Sequence, residues 1–298
     1  RRPHCGCILW RWNLWTAIPP REESTFGARI TARVFSLMLK KRLIPVLFIK
    51  NGHIIRSESF RDHKIIGNVV NEVRRYNEWD IDELIYIDIS KTEAHNSGRN
   101  DHNIQCVESI EQIIALVAKE CFMPLTFGGG IRSLEKIERF LKIGADKVVI
   151  NTLLFESPHI VKQAVNKFGS QAIVACLDYR VVNGDIRFYS NSGTVEQDHN
   201  LVDLVALIKD IGCGEVFINS IDNDGAAEGY DIASIKILAD LFSIPIIVCG
   251  GAGCSFDFED VSEIDSITGI AAGNLFHFTE SAYPRAKKDL KNRGYNFR

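Results

Sequence analysis

The sequence predicts one (β/α)8 barrel, and three observations carry that reading. Eight short apolar runs alternate with amphipathic stretches, each run has strand length, and motifs of the first half return in the second about half a barrel later. With 298 residues, 46% of them hydrophobic, the chain matches the length of such a domain, which uses about 250 residues.

In chain order the strand runs are Leu43 to Ile49, Leu84 to Ile89, Pro124 to Phe127, Lys147 to Ile150, Ala172 to Leu177, Val216 to Asn219, Pro245 to Cys249 and Ile267 to Ala272. Continuous apolar runs are what parallel strands buried on both faces require. Helical periodicity is clearest at Ser109 to Glu120, Leu134 to Ile143, Ile160 to Phe168, Leu201 to Ile211 and Ile232 to Leu241. Ser157-Pro158 predicts a helix start, with serine as cap and proline in the first turn. Asn51-Gly52 and Asn183-Gly184 follow the first and fifth strands and predict small hairpins, since both residue types accept the positive φ of a tight turn.

The repeat is explicit. Leu47-Phe48-Ile49-Lys50, Gly128-Gly129-Gly130-Ile131-Arg132-Ser133 and Ile150-Asn151-Thr152 are answered by Leu177-Asp178-Tyr179-Arg180, Gly250-Gly251-Ala252-Gly253-Cys254-Ser255 and Ala272-Gly273-Asn274. A duplicated four-stranded unit puts equivalent sites at opposite sides of one barrel end.

Composition narrows the function. A formal net charge of -3 offers no basic stripe for a nucleic-acid backbone. The eight cysteines show neither metal-ligand spacing nor a disulfide framework, and His53, His63, His95 and His102 show no ligand spacing, so no metal or cofactor is expected. No apolar run reaches the roughly 18 residues of a membrane span, and a reducing cytoplasm is the expected location. Residues 1–37 differ from the rest. They hold six of the 35 basic residues, two of the 38 acidic ones and three of the four tryptophans, leaving the remainder at -7. They are expected to be an upstream or added extension outside the fold, with the barrel spanning residues 38–298.

Glycines after a parallel strand leave backbone N–H groups open to an anion, and the helix that follows adds its positive end. Two such cradles are expected: Gly129 and Gly130 with Asn151 and Thr152, and Gly250 and Gly251 with Gly273 and Asn274, the latter joined by Gly225. A small ligand with a phosphate at each end would fill both. Asp88 and Asp222, at the ends of strands two and six, either shape the site or cap their loops. His277 is expected to be packed rather than catalytic.

At this point a resemblance is specific. Lys41-Arg42-Leu43-Ile44-Pro45, Pro124 to Ser133, Gly144-Ala145-Asp146-Lys147, Phe168-Gly169-Ser170-Gln171, Ser220 to Gly225, Glu228-Gly229-Tyr230-Asp231 and Phe276-His277-Phe278 resemble the cyclase subunit family of imidazole glycerol phosphate synthase, in register over residues 38–298. The resemblance implies a lyase of histidine biosynthesis that takes ammonia from a glutaminase subunit, as a heterodimer, and cleaves and cyclises a bisphosphorylated ribotide. It also implies two catalytic aspartates, one at the end of strand one and one at the end of strand five. Asp178 matches the second, whereas Phe48 stands in place of the first, as the internal repeat says independently. A phenyl ring carries no proton, and one general acid or base contributes about 10²- to 10⁴-fold in rate. Arg56, Ser57 and Ala226 are lesser departures, standing where the family has lysine, glycine and threonine.

Arg42, Glu83, Lys147 and Glu215 fall at strand starts, on the opposite barrel face. Spacing alone reads them as a structural salt-bridge cluster. The resemblance makes them an ammonia gate, with Asp146 at the partner interface. Two functions follow: the ammonia-dependent cyclase, or an accessory barrel that conducts ammonia from a glutaminase to an N-acetyl sugar amidotransferase. The second is what paralogues linked to acetamidino sugars of surface polysaccharides resemble, with an apolar residue in place of the first aspartate. The sister isomerase of the pathway shares the two-phosphate barrel but not the gate.

Overall fold

The computed structural model describes residues 40–90, 108–277 and 281–298, so residues 1–37, His95, His102 and Phe278 lie outside the described residues. Twelve strands form one sheet. Eight of them close on themselves: β1 (Arg42–Lys50), β4 (Leu84–Asp88), β5 (Leu125–Gly128), β6 (Lys147–Ile150), β7 (Ile173–Val182), β10 (Glu215–Ser220), β11 (Ile246–Cys249) and β12 (Ile267–Ala272). Each pairs in parallel with the next, β7 meets β10, and β12 returns to β1. This is a (β/α)8 barrel. The apolar runs locate every barrel strand to within a residue or two, except that β7 runs on to Val182 because it enters a hairpin.

Both Asn-Gly turns make the expected hairpins. Asn51 and Gly52 take φ of 50° and 81° and join β1 to β2 (His53–Glu58), which pairs with β3 (Asp62–Asn68). Asn183 and Gly184, at 54° and 88°, join β7 to β8 (Asp185–Ser190), which pairs with the short β9 (Val195–Glu196).

The helices are α1 (Val69–Glu78), α2 (Ile110–Glu120), α3 (Leu134–Ile143), α4 (Thr152–Glu156), α5 (Pro158–Phe168), α6 (Leu201–Ile211), α7 (Ile232–Leu241), α8 (Asp257–Ser262) and α9 (Ala282–Asn292). Ser109, Ser133, Asn200 and Asp231 cap α2, α3, α6 and α7 with side-chain oxygens. Ser157 does not: Pro158 opens α5 as expected, but the serine side chain makes no cap bond. Among the described residues no helix is long and apolar enough to cross a membrane.

Strand alternation sorts the apolar side chains into two cores. One lies between sheet and helices, where Tyr86 stacks on Phe127 at 5.1 Å. The other fills the barrel axis with Ile44, Val46, Ile85, Val174, Phe217 and Ile247. Helix α9 fastens the bottom of the barrel: the buried Tyr283 hydroxyl donates to Leu43 O and accepts from Asp82 N, both at 2.9 Å. The Asp82 carboxylate accepts from Leu43 N at 2.9 Å and from Lys287 Nζ at 2.7 Å.

Tyr283→Phe removes the partner of the buried Leu43 O and the half-buried Asp82 N and should lower unfolding stability by about 1–3 kcal/mol. Urea denaturation reads this as a lower midpoint at unchanged slope. A wild-type midpoint would show that α9 does not fasten the barrel through this hydroxyl.

Candidate functional site

The residues whose side chains point down the axis form layers. At the strand starts Arg42, Glu83, Lys147 and Glu215 close a ring: Arg42 meets Glu83 at 2.5 Å and Glu215 at 2.6 Å, and Lys147 meets the same two at 2.9 and 2.6 Å. Thr126 Oγ1 donates to Glu83 at 3.1 Å, and Thr268 Oγ1 accepts from Arg42 at 3.3 Å. Burial works against the Glu215 carboxylate, but the charges of Arg42 and Lys147 outweigh it and hold its pKa below the ordinary range. Four charges in one buried cycle satisfy one another, and removing any one leaves a charge uncompensated. Asp146 lies exposed on the same face and accepts from Leu125 N at 2.8 Å.

At the opposite mouth a pocket of about 750 Å³ opens. Its floor holds Asp178, which is 7% exposed, with Asn151 Nδ2 donating at 3.2 Å to one carboxylate oxygen and Asn219 Nδ2 at 3.2 Å to the other. No cation faces the carboxylate among these contacts. Burial therefore dominates and pushes the pKa from 3.8 up to about 7, against the Asn219 and Cys176 hydrogen bonds. A carboxyl poised there exchanges a proton readily near neutrality.

Phe48 lies at the matching depth. It pairs with Ile87 of the next barrel strand, as Asp178 pairs with Asn219. Its ring packs among the axial apolar residues and meets Phe60 edge-on at 6.3 Å. The level that Asp178 holds in the other half is thus filled by hydrocarbon here.

The first expected cradle lines this pocket in full, through Gly129, Gly130, Asn151 and Thr152. Gly129, at φ 99°, crosses so close to β4 that a Cβ would stand 1.9 Å from Asp88 O, so only glycine fits. The Asn151 side chain leaves the start of α4 uncapped and reaches inward to Asp178, Cys176 O and Tyr189 O. Thr152 Oγ1 accepts from Asn191 N at 3.2 Å, which ties the β8–β9 hairpin down. The residues of the second set, Gly225, Gly250, Gly251, Gly273 and Asn274, lie across the mouth and do not line the pocket.

Asp88 lines the pocket and accepts from Ser90 N at 2.9 Å, a loop-capping bond, whereas Asp222 is exposed and pairs with Arg180 at 2.6 Å. Burial lowers the His277 pKa to about 4, so the ring is neutral at physiological pH. Sequence reasoning missed Asn219, Lys136, Thr126 and Thr268. Asn219 was findable, because Glu215, Phe217 and Asn219 alternate onto one face of β10.

The match to known proteins is specific. The sequence model of one family, described as histidine biosynthesis protein, matches residues 42–282. The chain belongs to that family. A Vibrio vulnificus protein provisionally named imidazole glycerol phosphate synthase subunit hisF3 is 36% identical over 243 residues, 81% of this chain and 89% of that one. A Pseudomonas aeruginosa protein provisionally named subunit hisF2 is 35% identical, covering 81% and 92%. Imidazole glycerol phosphate synthase subunit HisF of Natranaerobius thermophilus is 33% identical over 261 residues, 88% of this chain and all of that one. Within the histidine biosynthesis family this chain is therefore of the cyclase-subunit type.

The raised Asp178 pKa has a consequence for stability. Between about pH 4 and 7 the folded chain keeps a proton that the unfolded chain has released, so wild type should lose stability relative to Asp178→Asn as pH rises through that window. Above it the difference levels off. Melting of both proteins across pH 4–8 measures the gap, and a constant gap would show that Asp178 titrates normally.

Proposed function

We propose that this chain is the ammonia-receiving barrel of a glutaminase complex, and that it passes ammonia on instead of completing the cyclisation of a bisphosphorylated ribotide. The observation that carries the reading is the pairing of an intact charged ring with a phenyl ring at the first proton-transfer position. The glutaminase docks as a heterodimer on the face bearing Arg42, Glu83, Lys147, Glu215 and Asp146, and ammonia enters there. Ammonia is small and neutral, so the apolar axis above the ring suits its passage better than that of an ion.

Closing the imidazole ring and cleaving the ribotide need proton transfers on both sides of the substrate. Here Asp178 holds one of the two equivalent strand-end positions and Phe48 the other, and the loss of one such group costs about 10²- to 10⁴-fold in rate. The acceptor is then a third protein, an amidotransferase acting on N-acetyl sugars for surface polysaccharide, in the cytoplasm. The second reading, the ordinary cyclase of histidine biosynthesis, is favoured by one observation: Asp178 keeps a pKa suited to acid–base work beside a cradle that fits a phosphate. In that reading both glycine cradles hold the substrate, one phosphate each.

Phe48→Asp separates the two. With the ribotide and a high ammonium concentration, the variant should turn over at least tenfold faster than wild type, though below a two-aspartate barrel. Stimulation of the docked glutaminase should be equal in both, because Phe48 lies at the far end of the axis from the ring. Efficient cyclisation by wild type would overturn the proposal.

A further inference from the structure

The outer helices differ in what they turn toward solvent. On α1 the exposed residues are Asn71, Arg74 and Glu78, and on α3 they are Glu135, Arg139 and Lys142. Helix α7 departs from this pattern. Only Ser234, Lys236 and Asp240 of its ten residues are polar, and the barrel buries Ser234, Ile235, Leu238 and Ala239. Ile237 and Leu241 are left 52% and 42% exposed, and Ala233, one turn before Ile237, is exposed as well. A helix that is apolar nearly all round is one that is covered on both faces, and in the single chain α7 has cover on one.

The open face has a pattern that identifies its cover. Residues four apart form a row along a helix, and such rows are the ridges through which helices pack. α7 presents two rows side by side: an apolar one of Ala233, Ile237 and Leu241, and a charged one of Lys236 and Asp240. Neither of these two charges has an ion-pair partner among the described residues. A two-fold axis crossing α7 beside Ile237 reverses the helix direction and sets each row against its own copy. Ile237 then meets Ile237 of the second copy, and Ala233 meets Leu241, a small side chain opposite a large one. Lys236 meets Asp240 at two symmetric places. A parallel pairing would instead set Lys236 against Lys236 and Asp240 against Asp240, so the charges select the antiparallel one.

We infer that two copies of this chain associate through α7 in an antiparallel, two-fold contact. The inference goes beyond the proposed function and does not depend on it. Helix α7 follows β10 on the outside of the barrel, so the contact leaves the charged ring at one end and the pocket at the other free in each copy. One helix pair falls below the roughly 1,200 Å² of a standard stable interface, so the dimer is reversible, with a Kd on the order of 10–100 µM.

Sedimentation velocity of the full chain from about 1 to about 300 µM tests this, with melting curves to confirm that each variant folds. Wild type should pass from monomer to dimer across that range. Ile237→Glu should weaken association at least about tenfold, and so should Lys236→Glu and Asp240→Lys separately, since each sets like charges together at both symmetric places. A one-to-one mixture of Lys236→Glu and Asp240→Lys should recover a Kd within about threefold of wild type, because each variant supplies the charge that the other lacks. Mixing cannot restore a pair made within one helix, so this recovery reports a contact between copies. If Ile237→Glu misfolds, the charge variants decide alone. A monomer across the whole range, undiminished association of Ile237→Glu, or a mixture no tighter than its components would each overturn the inference.

Discussion

The constraint on which this molecule depends is the two-residue alternation of a closed barrel. Once β7 pairs with β10 and β12 with β1, every second side chain of eight strands must find a place on one axis. That requirement stacks Arg42, Ile44, Val46 and Phe48 of β1 into four successive levels, and Glu215, Phe217 and Asn219 of β10 into levels of their own. A charged floor, an apolar shaft and a polar ceiling follow from it. The floor survives burial because its four charges satisfy one another in a cycle, and the shaft above it is filled by the apolar side chains of the axial cluster.

The same constraint explains why Phe48 matters more than a surface substitution would. It holds the level that Asp178 holds in the other half, so the ceiling has one proton carrier where symmetry allows two. The phenyl ring also joins an apolar cluster that includes Cys176, two residues before Asp178. Burial lifts the Asp178 pKa, and the equivalent position across the axis offers it hydrocarbon. A hairpin is seated at each end of the mouth: Ser57 Oγ of β2 donates to Asp224, and Asn191 N, just after β8, donates to Thr152 Oγ1.

Much of this was legible in the sequence. The barrel strands and the two hairpins follow from apolar run length and Asn-Gly chemistry, which are local. The ring at the strand starts was visible as residue types, while its closure into one cycle, spanning residues 42 to 215, depends on the barrel being shut. Helix α1 was not foreseen because its polar face, with Asn71, Glu72, Arg74 and Arg75, outweighs the three buried residues Val69, Val73 and Tyr76. Helix α9 is masked in the same way by its lysines and arginines. The seating of the β2–β3 hairpin was out of reach for a different reason: Ser57 with Asp224 and Asn274 with Ser57 are separated by 167 and 217 residues. Asp257 is only four residues from Gly253, and its spacing as a cap for the preceding amides is a signal that sequence reading passed over.

In the proposed function the floor and shaft serve ammonia while the ceiling does not complete cyclisation. The most direct measurement is single-turnover conversion of the bisphosphorylated ribotide at saturating ammonium, with the barrel in excess so that every substrate molecule is bound. Such conditions isolate the chemical step from affinity and from any partner. The account predicts a first-order rate at least about 10²-fold below that of a barrel carrying both aspartates. A rate within a few fold of that barrel would contradict it, and would mean that Asp178 alone carries both proton transfers.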